Sequence, residues 1–320
     1  MGRYLIQRLV IAGLTLLGIS LVLFTLLALA PGNPLGEVAT NPSIPEAVRE
    51  NLRKSFGLDQ PLPVRYLKWL RAFLQGDLGY SFTSRSPVRD LIAQRLSTTL
   101  GLMGSAYLLS ALIAIPLGIL AAVKQNSWLD RSITSLSLLG FSLPTFVTGL
   151  IFIWVFTVQW RWFPFVYSST LQVTNAASLG EQIRQLILPV SVLVLYQCTT
   201  LLRFVRSAVL EELPQPYIRT AYAKGLAPRA VIGQHLLRNA MIPLVTLVAL
   251  DIPAVFTGAL VTEQVFRVPG MGALMIDSIY RSDTPVVMAI TFIYAILVVI
   301  FSTLADVIYG ILDPRIQYHD

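Results

Sequence analysis

Charge is what this sequence has least of. Asp, Glu, Lys and Arg make up 13% of its 320 residues, against 55% hydrophobic residues. That ratio leaves too little polar surface for a water-soluble domain, and it is far too apolar for a disordered chain. There is a single cysteine, Cys198, inside an apolar run, so no intrachain disulfide framework exists. The two histidines, His235 and His319, are too few and too far apart for a metal site. The sequence contains no Gly-x-x-x-x-Gly-Lys-Ser/Thr phosphate loop and therefore does not itself supply ATP-hydrolysing chemistry. It also lacks His-Glu-x-x-His or any other cluster arguing for an intramembrane enzyme. No catalytic, cofactor-binding or metal-ligating residue is expected. A surplus of base remains, with net charge +7. Many of the Lys and Arg lie near the ends of apolar runs, where they meet lipid headgroups and fix orientation, so nucleic acid is not an expected partner.

What is present in abundance is apolar sequence of membrane-crossing length. Spanning the hydrocarbon core takes about 20 apolar residues, and six segments meet it: 9–30, 98–123, 133–158, 187–204, 241–262 and 286–310. The first follows Arg3 and Arg8 and ends in Ala28-Leu29-Ala30, which imitates a cleavable signal. Its apolar run exceeds the usual signal length of about 7 to 15 residues, so it reads as a retained span. Six spans put both termini on one side. With that side inward, the short inner loops and tails hold Arg3, Arg8, Lys124, Arg131, Arg203, Arg206, Arg219, Lys224, Arg229, Arg238 and Arg315. The short outer loops hold only Arg161, Arg184, Arg267 and Arg281. The remaining bases fall in 31–97, a stretch long enough to translocate regardless of charge. Both termini are therefore expected in the cytoplasm. Prolines 116, 144 and 253 fall inside spans two, three and five, where each removes a backbone hydrogen bond; they suggest kinked helices around a path, or the ordinary tolerance of membrane helices for proline.

The organisation expected is a cytoplasmic N-terminus and first span (1–30), an extracytoplasmic subdomain (31–97), a core of five spans (98–310) interrupted by a polar loop (205–240), and a cytoplasmic tail (311–320). Within the subdomain, Tyr66, Leu67, Leu70, Phe73 and Leu74 recur at three- to four-residue spacing, with Arg65, Lys68 and Arg71 largely opposite. This is an amphipathic helix. It either lies on the membrane with Trp69 at headgroup level or packs as one face of the subdomain.

The polar loop is the least membrane-like part of the core. Pro214 and Pro216 precede a helical run, Gly225 ends it, and Pro228 opens a second run. Glycine just past a helix and proline in the first turn of the next make this two short helices joined by a tight break. Small residues Ala221, Ala223 and Gly225 admit a close protein surface, with Arg219, Lys224 and Arg229 as a charged rim. A protrusion of this kind can pass force from a soluble partner to spans four and five.

Here the sequence resembles a known family. The stretch RTAYAKGL is similar to the EAA loop of ABC-transporter permeases, and nearly the whole chain resembles their dipeptide/oligopeptide/nickel branch. The resemblance runs through MGRYLIQRLV, FGLDQPLPVRYLKWL, GDLGYSF, FSLPTFVTGL, HLLRNAMIPLVT, VTEQVFRVPGMGAL and LADVIYGILDPRIQY. It implies an all-α permease with six transmembrane helices of the type I ABC importer kind. It further implies a bacterial inner-membrane complex with a homologous second permease, two ABC ATPase subunits and an extracytoplasmic substrate-binding protein. ATP and magnesium would sit on the ATPase subunits, and none on this chain. Di- or oligopeptides are the cargo implied first, with nickel complexes and glutathione served by similar permeases. A self-sufficient carrier or channel is the rival class, against which stand the lack of an evident inverted repeat and the few intramembrane ionisable groups. The loop departs from the family's general pattern, since Arg219-Thr220-Ala221 stand at the Glu-Ala-Ala positions and Pro243 follows Gly225 at a longer distance. Contacts that depend on the missing glutamate therefore do not carry over.

The coupling residues expected on the loop are Arg219, Thr220, Ala221, Lys224, Gly225, Leu226, Pro228 and Arg229. Asp251 falls near mid-membrane in span five, where a charged carboxylate costs about 2.5 to 3.5 kcal/mol on insertion scales and so faces a cavity or a partner. Asp251, Pro253 and Glu263 are candidates for the path. Phe266, Pro269, Gly270 and Gly272 belong to an outer loop dense in Gly and Pro, a candidate gate or docking surface. Arg203 and Arg206, three residues apart, are expected to anchor the end of span four in headgroups. Asp306 reads as structural, near the end of span six.

Overall fold

The computed structural model describes residues 2–29, 46, 50, 59–168, 171, 173–257 and 259–312. Among them the chain is helical, with one isolated bridge between Tyr80 and Pro87 as its only strand-like pairing. The expected tail from 311, with Arg315 and His319, lies outside the described residues from 313 onward, as does most of 31–58. The side chain of Asp306 is likewise not described. The chain divides into two compact units, one of 1–97 with 273–303, the other of 98–272 with 304–320. The longest described part of the expected subdomain, residues 59–97, falls in the first unit with the first span and most of the last.

The first unit holds α1 (Gly2–Leu29), α2 (Leu62–Leu74) and much of α12 (Thr284–Leu312). The amphipathic helix α2 packs by its aromatic side. Tyr66 lies edge-on to Phe24 of α1 at 5.5 Å, and Trp69 and Phe73 meet Phe292 of α12 at 5.4 and 4.8 Å. The Tyr66 and Ser20 hydroxyls are hydrogen-bonded at 2.8 Å. Leu67 and Leu74, expected on the same apolar face, stay exposed. Aromatic pairs carry more contact per residue than leucine, so the helix turns that side inward.

The same unit closes around Asp283, a residue the sequence did not single out. Its carboxylate, 2% exposed, accepts hydrogen bonds from the Ser81 hydroxyl and from the backbone N–H groups of Phe82 (2.9 Å) and Thr83 (3.2 Å). The loop before α3 (Val88–Val123) is thus tied to the turn before α12.

The second unit contains the rest of α3, then α4 (Trp128–Ser142), α5 (Thr145–Phe152) continuing as a π-helix over Ile153–Gln159, and α6 (Ala176–Glu212). After these come α7 (Pro216–Ala223) and α8, which starts at Pro228–Ala230, widens to a π-helix over Val231–Leu236 and closes over Leu237–Ala240. The series ends in α9 (Ile242–Thr257), α10 (Leu260–Phe266) and the first two residues of α11 (Met271–Tyr280), the rest of which belongs to the first unit.

Four described helices are long and apolar enough to cross a membrane unbroken: Ile6–Leu29, Val88–Val123, Ala176–Glu212 and Thr284–Ala305. The expected spans three and five are interrupted. Pro144 does more than kink span three, because a proline disfavours the helical region for the residue before it. Leu143 is extended at φ −95°, ψ 129°, and α5 restarts after Pro144. Span five stops at Thr257 and resumes at Leu260, with Ala259 at φ −93°, ψ 77° between. Pro116 and Pro253 do sit within continuous helices, and so does Pro189, because α6 begins at Ala176, well before the expected 187. Its start is a reciprocal cap: Asn175 Oδ1 accepts from the Ser178 N–H (2.8 Å) and Ser178 Oγ from the Asn175 N–H (3.0 Å).

Helices in lipid gain little from hydrophobic burial and associate through close packing and hydrogen bonds. Both are present around α6. A Cβ on Gly118 of α3 would fall 2.9 Å from the Val205 side chain, and one on Gly140 of α4 would fall 3.1 Å from Thr199 Oγ1. The Thr199 hydroxyl donates to the Ser137 carbonyl of α4 at 3.0 Å.

Candidate functional site

A cavity of about 670 Å³ opens in the second unit where its helices are broken. The Pro144 break, α3, α6, α9 and the start of α10 each give side chains to its wall. Asp251 lies on it and accepts a 2.6 Å hydrogen bond from the Tyr107 hydroxyl of α3. The wall is otherwise largely apolar, with Met103, Leu193 and Val255 beside Gln197 and Thr200. Interrupted helices create such a space because irregular backbone at membrane depth is tolerated only where protein or a cavity receives it.

Of the three residues expected on a path, Asp251 alone lines this cavity. Pro253 is buried within α9. Glu263 is 0% exposed and turned into the fold. Thr99 Oγ donates to Glu263 Oε1 at 3.0 Å and accepts from the Met271 N–H at 2.7 Å, which fixes the start of α11. A Cβ on Gly270 would fall 2.3 Å from the Glu263 carboxylate, so any larger residue there would have to displace that buried carboxylate. Gly272 is held in the same way, its Cβ position being 2.7 Å from the Leu260 backbone. The segment expected as a gate or docking loop is accordingly folded inward: Phe266 (4% exposed) and Val268 (1%) join Leu102, Met103 and Leu193 in one buried cluster, and Gly270 and Gly272 are buried beside it. Pro269 is half-buried. The carboxylate of Glu263 acts as a peg for the turn, which is why a buried acid is present at all.

At the other end of the unit, α7 and α8 fold against the end of α6. Ile218, Ala221, Val231 and Leu236 are buried with Leu201, Val205 and Val209. Ala221, expected at the contact with a partner, packs into this chain's own core. The opposite face is open: Arg219, Thr220, Lys224, Gly225, Leu226, Pro228 and Arg229 are all exposed, as are Tyr222 and Ala223. Gly225 has φ +77°, the left-handed conformation expected after a helix. Its N–H bonds the Tyr222 carbonyl (2.9 Å) and the Leu226 N–H bonds the Ala221 carbonyl (3.4 Å), which closes the helix end as a Schellman turn.

Arg206 is not left to find headgroups. Its Nε and Nη2 form a fork on the Asp130 carboxylate at 2.7 and 2.8 Å. Asp130 is 3% exposed in the first turn of α4 and also accepts from the Asn126 N–H (2.9 Å) and the Thr134 hydroxyl (3.3 Å). The Arg206 hydrogen bond is the main reason the Asp130 carboxyl is held down to about 2 from an ordinary 3.8, with burial opposing it. Arg203, the other expected anchor, is exposed. The Asp130 partner was not foreseen, although Asp130 three residues after Ser127 is a recognisable helix-start pattern. Tyr107 and Thr99 carry no sequence signal beyond being polar in an apolar run.

The sequence matches the family described as "Binding-protein-dependent transport system inner membrane component" over residues 114–318, and its N-terminal companion over residues 1–103. It is 41% identical over 319 residues to the "Oligopeptide transport system permease protein AppB" of Bacillus subtilis (strain 168), covering 99% of this chain and 100% of that one. It is 35% identical over 321 residues to the "Dipeptide transport system permease protein DppB" of the same organism, covering 100% and 99% respectively. A chain from inward-facing structures of the MetNI methionine ABC transporter shares the fold, with a TM-score of 0.54 at 18% identity over 70% of this chain and 96% of that one. With two adjoining family matches and full-length identity above 40%, this chain belongs to the binding-protein-dependent transport system inner membrane components, the permease subunits of ABC importers.

Proposed function

We propose that this chain is one permease of an ATP-driven importer of di- or oligopeptides, lining half of the path and receiving the ATPase stroke through residues 213–239. The cargo class rests on the relatives, which are named for oligopeptide and dipeptide transport. The coupling reading rests on one observation: α7 and α8 present an exposed basic rim while their other face is sunk into the core with α6. A partner that pulls on Arg219, Lys224 and Arg229 moves α6 with them, since a packed interface transmits displacement. In this reading the loop and both termini face the cytoplasm of a bacterial inner membrane. The ATPase pair, with its ATP and magnesium, docks there, and a second, homologous permease completes the path that a substrate-binding protein feeds from outside.

The test is uptake of a labelled di- or tripeptide by proteoliposomes holding the complete complex. Placing a tryptophan at Ala223, exposed on that rim, is expected to abolish ATP-driven uptake and cargo-stimulated ATP hydrolysis together. Peptide movement by this chain alone, without any ATPase subunit, would overturn the proposal.

A further inference from the structure

The cavity beside Asp251 is built for a particular kind of guest. Asp251 is its acidic side chain, and among the described residues the carboxylate accepts one hydrogen bond, from Tyr107 to Oδ2. Gln197, on α6, lies on the same wall, but its Oε1 is closed off from the cavity and does not face a guest. A carboxylate with one donor in an otherwise largely apolar wall keeps acceptor capacity that a guest can fill. A guest that filled it would bring several N–H donors and a positive charge. A divalent cation fits poorly, since such ions take four to eight ligands. No group of three or more His, Cys, Asp or Glu stands together among the described residues. A protonated primary amine has three donors and needs no more than this wall supplies.

We propose that this cavity is the permease's own selectivity site for the ammonium group of the cargo, held by Asp251, with Tyr107 positioning the carboxylate. The site rests on the peptide reading, in which the amine is the free amino terminus. Tyr107 holds Oδ2 of Asp251, which leaves Oδ1 for the guest. The apolar remainder of the wall accepts side chains without choosing among them, so selection falls on the backbone amine.

The experiment uses the complete complex in proteoliposomes and compares uptake of one peptide in free and N-acetylated form by the wild type and the Asp251→Asn, Asp251→Glu and Tyr107→Phe variants. Assembly of each complex is verified by size-exclusion chromatography. The wild type is expected to prefer the free amine. Asp251→Asn is expected to raise the KM for the free peptide about 10-fold or more, the usual consequence of losing a charged hydrogen bond, and to leave the acetylated peptide unaffected. Tyr107→Phe should shift KM while Asp251→Glu restores part of the preference, an outcome that a merely structural pair would not give. Uptake of the free peptide by Asp251→Asn at the wild-type KM would overturn the amine site while leaving the peptide reading standing. A wild type that moves neither peptide form would remove the peptide reading and this site with it.

Discussion

At the scale of single residues, three buried acids among the described residues hold the fold, while Asp251 faces a cavity. Asp130, Glu263 and Asp283 are all buried, and each accepts hydrogen bonds that tie separate helices or loops together. Breaking a charged, partly buried pair leaves its partner without compensation, so Asp130→Asn is expected to destabilise the detergent-purified complex by about 1 to 3 kcal/mol. Arg206→Lys should cost a similar amount, because an ammonium cannot reproduce the fork. The pH dependence has a definite sign. The folded-state pKa of Asp130 is depressed to about 2 from 3.8, so the pair's contribution is complete above about pH 4 and disappears as pH falls from there toward 2. Thermal melts of wild type and Asp130→Asn should therefore stay separated by a constant interval from pH 7 to 5 and converge in the acid range. A constant separation down to pH 2 would show that the carboxylate is not what the pair contributes. The sequence set Asp251 apart by its depth in span five, but it did not reveal the burial and ties of the other three, because their partners include residues 76 to 202 positions away.

At the scale of elements, punctuation was readable and packing was not. Gly225 at φ +77° and Pro228 opening α8 are where the glycine and proline pattern puts them. The left-handed conformation costs a β-branched residue about 1 to 2 kcal/mol, so Gly225→Val is expected to fray the α7 end. The membrane helices should remain intact while ATP-driven uptake falls; limited proteolysis between 222 and 229 is the check. Which side of α7 is buried was beyond the sequence: Ala221 and Ala223 look equivalent there, and only packing into the cluster shared with α6 and α8 buries the first while the second stays exposed. The same holds for α2, whose two possible placements are separated by whether Trp69 and Phe73 find Phe292. The break at Pro144 was visible as a proline but not as an interruption, because proline in a membrane helix kinks or ends it according to what its neighbours re-satisfy.

At the scale of the whole molecule, the charge of the short loops argues that both termini and the loop 213–239 face inward and the turn at 81–87 faces outward. In a Cys198→Ser background, a cysteine at Thr83, which is exposed, should react with a membrane-impermeant maleimide in intact spheroplasts. One at Lys224 should react only after permeabilisation. Labelling in the reverse order would invert the orientation. The sequence by itself determined that the chain lives in lipid, that it is helical, that it belongs among importer permeases, and where its polar loop is punctuated. Those are consequences of composition, length and local steric preference, which a chain carries wherever it folds. Only the tertiary structure decided that spans three and five are broken, that Glu263 pegs a turn, that Arg206 belongs to Asp130, and that Asp251 looks into a cavity. Each of these depends on which distant helices come together, and in lipid that is settled by close packing and hydrogen bonds between helices, which the order of residues along one helix does not record.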